Sequence, residues 1–182
     1  METWKEFDQN IISHSAAHHL MALDDLVRRY GYARVSDIAR QLNITRGSVS
    51  ISLKPMKEAG LIIQDENRHL RLSEKAQRLV DAIKTKRMLI RRLFSDLLGV
   101  DVAQAEIDAC KIEHLVSNAS ARQLVTFFRF IDAQEQPARD FLARWRAFDR
   151  ACDQDPASCP TCASECIGEN VADTPREGDT RE

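Results

Sequence analysis

The stretch 34–73, RVSDIARQLNITRGSVSISLKPMKEAGLIIQDENRHLRLS, constrains the fold more than any other part of the chain. RVSDIARQL reads as a short helix with Ser36 as its N-cap. NIT makes a three-residue turn. TRGSVSISLKPMKEAGL reads as a second helix, capped by Thr45 and closed by Gly60. Two β-capable runs then flank the polar turn DEN and predict a hairpin. Val49, Leu53 and Met56 fall at i, i+4 and i+7, which predicts an inward stripe that Ile38 and Leu42 meet from the preceding helix. Helix, three-residue turn, helix and hairpin make a winged helix-turn-helix. Pro55 is awkward in this scheme. It removes a hydrogen bond to Ile51, at up to ~3 kcal/mol in a regular helix, and predicts a bend or a loosened last turn after Lys54.

The second helix leaves Arg46, Ser48, Ser50, Ile51, Lys54 and Lys57 facing out. Small hydroxyls permit close approach to a major groove, and the cations suit phosphates. Amides at its N-terminus, Arg46 to Ser48, add anion-binding capacity, and Thr45 joins the candidate DNA contacts. Arg68 and His69 sit near the hairpin tip, within reach of a nucleic-acid backbone. Charge distribution agrees. The net charge of −2 conceals a basic middle, Arg28 to Arg92, with 16 Lys+Arg against 6 Asp+Glu. A balance of +10 there, with −12 elsewhere, points to double-stranded DNA as partner. A winged helix used only for protein contacts is the competing reading.

The remaining segments read as helices, so the fold class is mainly α. The first helix, ISHSAAHHLMALDDLVRRYGY, puts Leu20, Leu23, Leu26 and Val27 on its apolar side and ends at Gly31. Ser73 caps a long helix that Gly99 ends. Asp101 and Gln104 resemble a capping box for VAQAEIDACKIEHLVS. Asn118 is the candidate cap of ASARQLVTFFRFID, and Pro137 opens the last helix. Phe141, Trp145 and Phe148 recur on that helix at a spacing that suits core or dimer contacts. The expected divisions are 1–72 for the winged helix, 73–150 for the helical domain, and 151–182 for a cysteine-rich tail, disordered at its end. No apolar run approaches the roughly 20 residues of a membrane span, and METWKEFDQN shows no secretory h-region. A cytoplasmic location and no membrane partner follow as expectations. With no Gly-rich phosphate loop and no nucleophile pocket, no enzyme is expected.

CKIEHL places Cys110, Glu113 and His114 at i, i+3 and i+4, neighbours on one helix face. Glu106 lies on the same side. A mixed sulfur, nitrogen and oxygen set suits Fe(II), Zn(II), Co(II) or Mn(II), and a thiolate tilts the choice away from magnesium and calcium. A partly exposed face carrying a chance trio is the alternative. The tail holds Cys152, Cys159, Cys162 and Cys166 with C-x6-C-x2-C-x3-C spacing. Four thiolates so spaced can wrap tetrahedral zinc or an iron–sulfur cluster.

From His18 to Phe128 the chain resembles the diphtheria toxin repressor/manganese transport regulator family of metal-dependent repressors. GYARVSDIARQLNITRGSVSISLKPMKEAGLI and LLGVDVAQAEIDACKIEHLVSN carry the resemblance. It implies a homodimer, with a helical core dimerising through the helices after Asn118. It implies a metal held by His18, Cys110, Glu113 and His114, with Glu106 at a further ligand position. Two positions depart from the family. Arg87 stands where a histidine is usual, with Arg91 one turn later at another ligand position, and Met21 replaces a carboxylate of the manganese-type site. Arg87 can therefore act as a fixed cation against Glu106 or Glu113 in place of a second metal. His14 and His19 are expected at the surface. The function implied is a dimeric, metal-responsive DNA-binding repressor of metal or iron homeostasis. An iron–sulfur sensor using the tail cysteines is the alternative, and a metal-trafficking or electron-transfer protein is a further one.

Overall fold

In the computed structural model, residues 12–148 are described; the four tail cysteines lie outside them. Two compact units are distinguished, Met1–Ala133 and Gln134–Glu182. The first unit contains α1 (His14–Tyr30), α2 (Val35–Leu42), α3 (Arg46–Glu58), β1 (Ile62–Gln64), β2 (Leu70–Leu72), α4 (Glu74–Arg92), α5 (Val102–Ile112) and α6 (Asn118–Asp132). The second contains α7 (Gln136–Ala147), which begins at a proline-bearing first turn as expected.

The winged helix-turn-helix is present. Asn43 ends α2 in the left-handed region (φ 54°), and Thr45 caps α3 by accepting from the Ser48 amide at 3.1 Å. Val49, Leu53 and Met56 are buried with Ile38, and Leu42 packs at the edge of the same cluster. β1 and β2 pair antiparallel with Ile62 opposite Leu72 and Gln64 opposite Leu70. A further hydrogen bond, Leu70 N–H to the Ala33 carbonyl at 2.8 Å, fastens the wing to the α1–α2 connection. Helix α3 runs through Pro55 to Glu58, so the lost donor is tolerated near its C-terminal end.

α1 packs against α2, α3, β2 and α4, and so joins the winged-helix elements to the rest of the unit. Its apolar side fills the core with Leu20, Leu23 and Leu26. Its polar anchor is Asp24, 3% exposed, which accepts from Arg28 and from Lys84 of α4, each at 2.8 Å. Burial alone would raise the Asp24 pKa, but the bonds from Lys84 and Arg28 outweigh it and hold the carboxyl below its usual range.

Several helix ends differ from the sequence reading. Arg34, not Ser36, is the N-cap of α2, because the Asp37 carboxylate reaches back to the Arg34 amide at 2.9 Å. Ser117, not Asn118, caps α6 by accepting from the Ser120 amide. Asp101 caps α5 through the Ala103 and Gln104 amides, but the Gln104 side chain donates onward to Asp108 instead of closing a capping box. The long helix ends as α-helix at Arg92 and continues as a π-turn, Leu93–Leu97, where Leu98 N–H bonds the Leu93 carbonyl. Finally, α5 stops at Ile112. Glu113 keeps helical dihedrals and bonds the Ala109 carbonyl, so its spacing from Cys110 survives.

Candidate metal centre

Two parts of the chain distant in sequence meet at the start of α1. The His18 Nε2 lies 3.2 Å from the Cys110 Sγ of α5, across 92 residues. His14, one turn before His18, brings its ring to 4.4 Å from the His18 ring and 4.9 Å from the His114 ring, centroid to centroid. The donor atoms of His14, His18 and Cys110 all lie within 4.8 Å of one another. Among the described residues these three form the tightest set, and Glu113 and His114 flank it. The sequence reading therefore named four residues that the fold gathers in one region, and missed His14. Its signal was the i, i+4 spacing from His18, which puts both rings on one helix face.

Glu113 is fully buried, and neither carboxylate oxygen has a hydrogen-bond partner. The nearest cation is Arg87 Nη1, at 3.7 Å from Oε2. Burial, with Glu106 adding, pushes its pKa up to about 7 against the pull of Arg87. His114 Nδ1 is also buried without a partner. Burial, with His14 nearby, lowers the His114 pKa. Burial likewise lowers that of His18, helped by His14, Arg87 and His114. Both rings are thus biased to the neutral form that binds metal. Burial raises the Cys110 pKa while Arg87 opposes it.

Glu106 is differently employed. Arg87 Nε donates to its Oε1 at 2.7 Å, a second Arg87 nitrogen lies at 2.6 Å, and Arg91 stands 3.7 Å from its Oε2. Burial works against the Arg87 charge, but the Glu106 bond and the Glu113 and Cys110 charges raise its pKa overall. Two guanidinium groups therefore occupy the charge environment that a second ion needs. Met21 is 7% exposed and part of the apolar core. The residues present fit one divalent ion, since two imidazoles and a thiol converge and a buried partnerless carboxylate and an orphan imidazole nitrogen stand on the adjoining turn. They do not fit a second ion at Glu106.

His19, expected at the surface, is 4% exposed. Its Nδ1–H donates to the Ser15 carbonyl at 2.6 Å, satisfying half the ring within its own helix turn, and Nε2 is buried without a partner. His14 is exposed, as expected.

Arg46, Ser50 and Arg68 line one groove with Arg34, Ser36 and Gln64. Arg68 adopts φ 64° in the β1–β2 turn. Thr45 and Ser48 are exposed but bonded to each other at 2.9 Å, so their hydroxyls also serve the cap. Lys54 is exposed. Lys57 is half-buried and donates to Gln64 at 2.6 Å, which ties α3 to β1. Ile51, 76% exposed, shares the outward face of α3.

Comparison with known proteins matches both halves. Residues 73–140 fit the family model "Iron dependent repressor, metal binding and dimerisation domain", and residues 20–64 fit "Bacterial regulatory protein, arsR family". The chain is 31% identical to the diphtheria toxin repressor of Corynebacterium diphtheriae over 88 residues, 48% of this chain and 39% of that protein. It is 34% identical over 88 residues to the iron-dependent repressor IdeR of Mycobacterium tuberculosis, covering 48% of this chain and 38% of that protein. It thus spans about two fifths of the length of these two relatives. With the HTH-type transcriptional regulator MntR of Lysinibacillus sphaericus it shares 30% identity over 103 residues, 57% of this chain and 73% of that protein. The fold matches the manganese regulator SloR with a TM-score of 0.57 at 22% identity, over 63% of this chain and 53% of that one. Among the described residues, no helix is long and apolar enough to cross a membrane.

Proposed function

The chain belongs to the diphtheria toxin repressor/manganese transport regulator family of metal-dependent transcriptional regulators, and on that premise we propose that it is a dimeric, metal-responsive DNA-binding repressor of metal homeostasis, acting in the cytoplasm. The observation that carries this reading is the contact between His18 and Cys110, because α1 packs on the winged helix while α5 packs on α4. His18, Cys110, Glu113 and His114 would hold the ion, with iron or manganese expected from the family. A bound ion supplies a cross-link between α1 and α5 and the positive charge that buried Glu113 lacks.

The protein's own residues do the rest. Arg87 holds α4 to α5 through Glu106 as a permanent charge, whatever the metal state. Asp24 and Lys84 hold α1 to α4. The α1 helix is thus a lever, fixed at Asp24 and adjustable at His18. Its position sets where α3 lies, and in a dimer the spacing of two α3 helices selects a near-palindromic operator. Dimer contacts are assigned to the helices after Asn118. Phe141 and Phe148 of α7 are 41% and 68% exposed in the single chain, which suits apolar faces that a second copy covers.

A second reading keeps the regulator and moves the sensor to the tail, on the C-x6-C-x2-C-x3-C spacing of Cys152, Cys159, Cys162 and Cys166 as an iron–sulfur or zinc site.

The DNA-reading surface is tested with Arg46→Ala and Lys54→Ala. Each is expected to weaken binding to duplex DNA about equally across sequences and to lower the slope of log affinity against log salt by about 1. Fluorescence anisotropy at a series of salt concentrations measures it. An unchanged slope in both variants removes α3 from the DNA interface.

A further inference from the structure

The ligand set carried by the family resemblance omits His14, yet His14 belongs to the tightest group of donor atoms among the described residues. We propose that His14 is a direct ligand of the metal at this centre, so that α1 grips the ion with two imidazoles one turn apart and the site favours zinc-, cobalt- or iron-like cations over manganese. The inference rests on the metal-regulator reading and adds to it a residue and a selectivity.

The geometry is local and simple. His14 is the first residue of α1, and Ser13 fixes that end by accepting from the Ala16 amide at 3.2 Å. Side chains at i and i+4 stack on one helix face, the spacing that helical two-histidine metal sites use. The face so formed meets Cys110, with His18 Nε2 already 3.2 Å from the sulfur. With bonds of about 2.0–2.3 Å, neighbouring donor atoms around one ion stand roughly 3–3.7 Å apart. Atoms already within 4.8 Å of one another need to close by about 1 Å, which side-chain rotation at an exposed helix end supplies. His114, whose ring lies 4.9 Å from that of His14, is positioned to follow.

The donor types set the preference. Three imidazoles and a thiolate outnumber the one buried carboxylate, Glu113. Nitrogen and sulfur donors favour zinc, cobalt and iron, whereas manganese suits carboxylate-rich sites. The other carboxylate of the region, Glu106, is bound by Arg87, and Met21 offers no oxygen.

The test uses the full chain with ring-nitrogen NMR of 15N-labelled histidine and Zn(II) as the probe, so that metal taken by tail cysteines does not confuse the readout. His14→Ala assigns the His14 signals. The expected result is that His14 and His18 ring nitrogens move together to metal-bound positions in one titration step. In the His14→Ala chain the His18 signals should respond at least about tenfold more weakly to Zn(II), a loss no smaller than that of an outer-shell partner. Mn(II) affinity, read by electron paramagnetic resonance, should change by less than twofold. If His18 moves and His14 does not, this inference fails while the metal reading stands. If no histidine signal responds to metal, both fail.

Discussion

Metal-free Glu113→Gln is expected to be more stable than the parent by about 3 kcal/mol at pH 8 and about equal to it at pH 4. The cause is a carboxyl group that is fully buried, has no hydrogen-bond partner, and is pushed from its ordinary 4.5 up to about 7. A raised carboxyl pKa means that folding favours the protonated form. Its contribution is fully present below the ordinary value and is lost as pH rises through the folded one. A shift of this size corresponds to about 3 kcal/mol. Glutamine has nearly the shape of the neutral acid and does not ionise, so the variant escapes the loss. His18 and His114 have lowered pKa values and the opposite sign: their contribution is present above the ordinary 6.5 and is lost as pH falls. They are common to both chains and cancel in the difference. Urea unfolding at pH 4, 6 and 8 checks the prediction. Saturating Fe(II), added anaerobically, should reverse the order at pH 8. The parent keeps its carboxylate ligand, and ligand at about 1,000 times Kd adds about 4.1 kcal/mol of stability, more than the metal-free deficit. Equal stability at pH 8 without metal would mean that Glu113 is solvated or paired.

Arg87→His is expected to raise the number of core metals from one to two per chain. The guanidinium bonds Glu106 and stands beside Glu113, so two carboxylates already have their cation. A neutral imidazole at the same position removes the direct Arg87 bonds to Glu106, leaving Arg91 at 3.7 Å, and adds the nitrogen donor that the family resemblance implies there. Counting is done on chains with Cys152, Cys159, Cys162 and Cys166 replaced by serine, so that only the core contributes. Arg87→Met serves as control. It removes the charge without adding a ligand, should still take one ion, and should cost about 1–3 kcal/mol of metal-free stability at pH 8. That range lies below the roughly 3–5 kcal/mol of a broken buried ion pair, because Glu106 is partly solvated and Glu113 can take up a proton. One ion in every chain would show that Arg87 alone does not block the second position.

The winged-helix half was legible because its signals are local. The Val49, Leu53 and Met56 stripe, the Thr45 cap and the polar DEN turn each lie within a few residues of what they specify. Helix ends were less legible, since Ser36 and Asp37, or Ser117 and Asn118, are equally good caps by type. The choice depends on which side chain reaches a free amide. The π-turn at Leu93–Leu97 leaves the 3.6-residue pattern unmarked, so the helix read as continuous to Gly99. The Arg87 pairing with Glu106 followed from charge at a position where the family has histidine, and the fold realises it. The meeting of His18 with Cys110 spans 92 residues and no local pattern encodes it; the family resemblance did. That same resemblance left His14 outside the inherited ligand set; it read as a surface residue and it is exposed, while its ring stands beside those of His18 and His114. His19 was misread. A histidine that bonds the carbonyl one turn back within its own helix can be buried with half of its polar capacity met.

Metal-dependent affinity for DNA tests the central claim most directly. A duplex is selected from a random pool by the Fe(II)-loaded protein, and its affinity is measured for loaded and chelated protein at one salt concentration. The loaded protein should bind roughly 5–150-fold more tightly, the range of a typical coupling energy, and Cys110→Ser should remove the difference. Equal affinity of loaded and chelated parent protein would contradict the account.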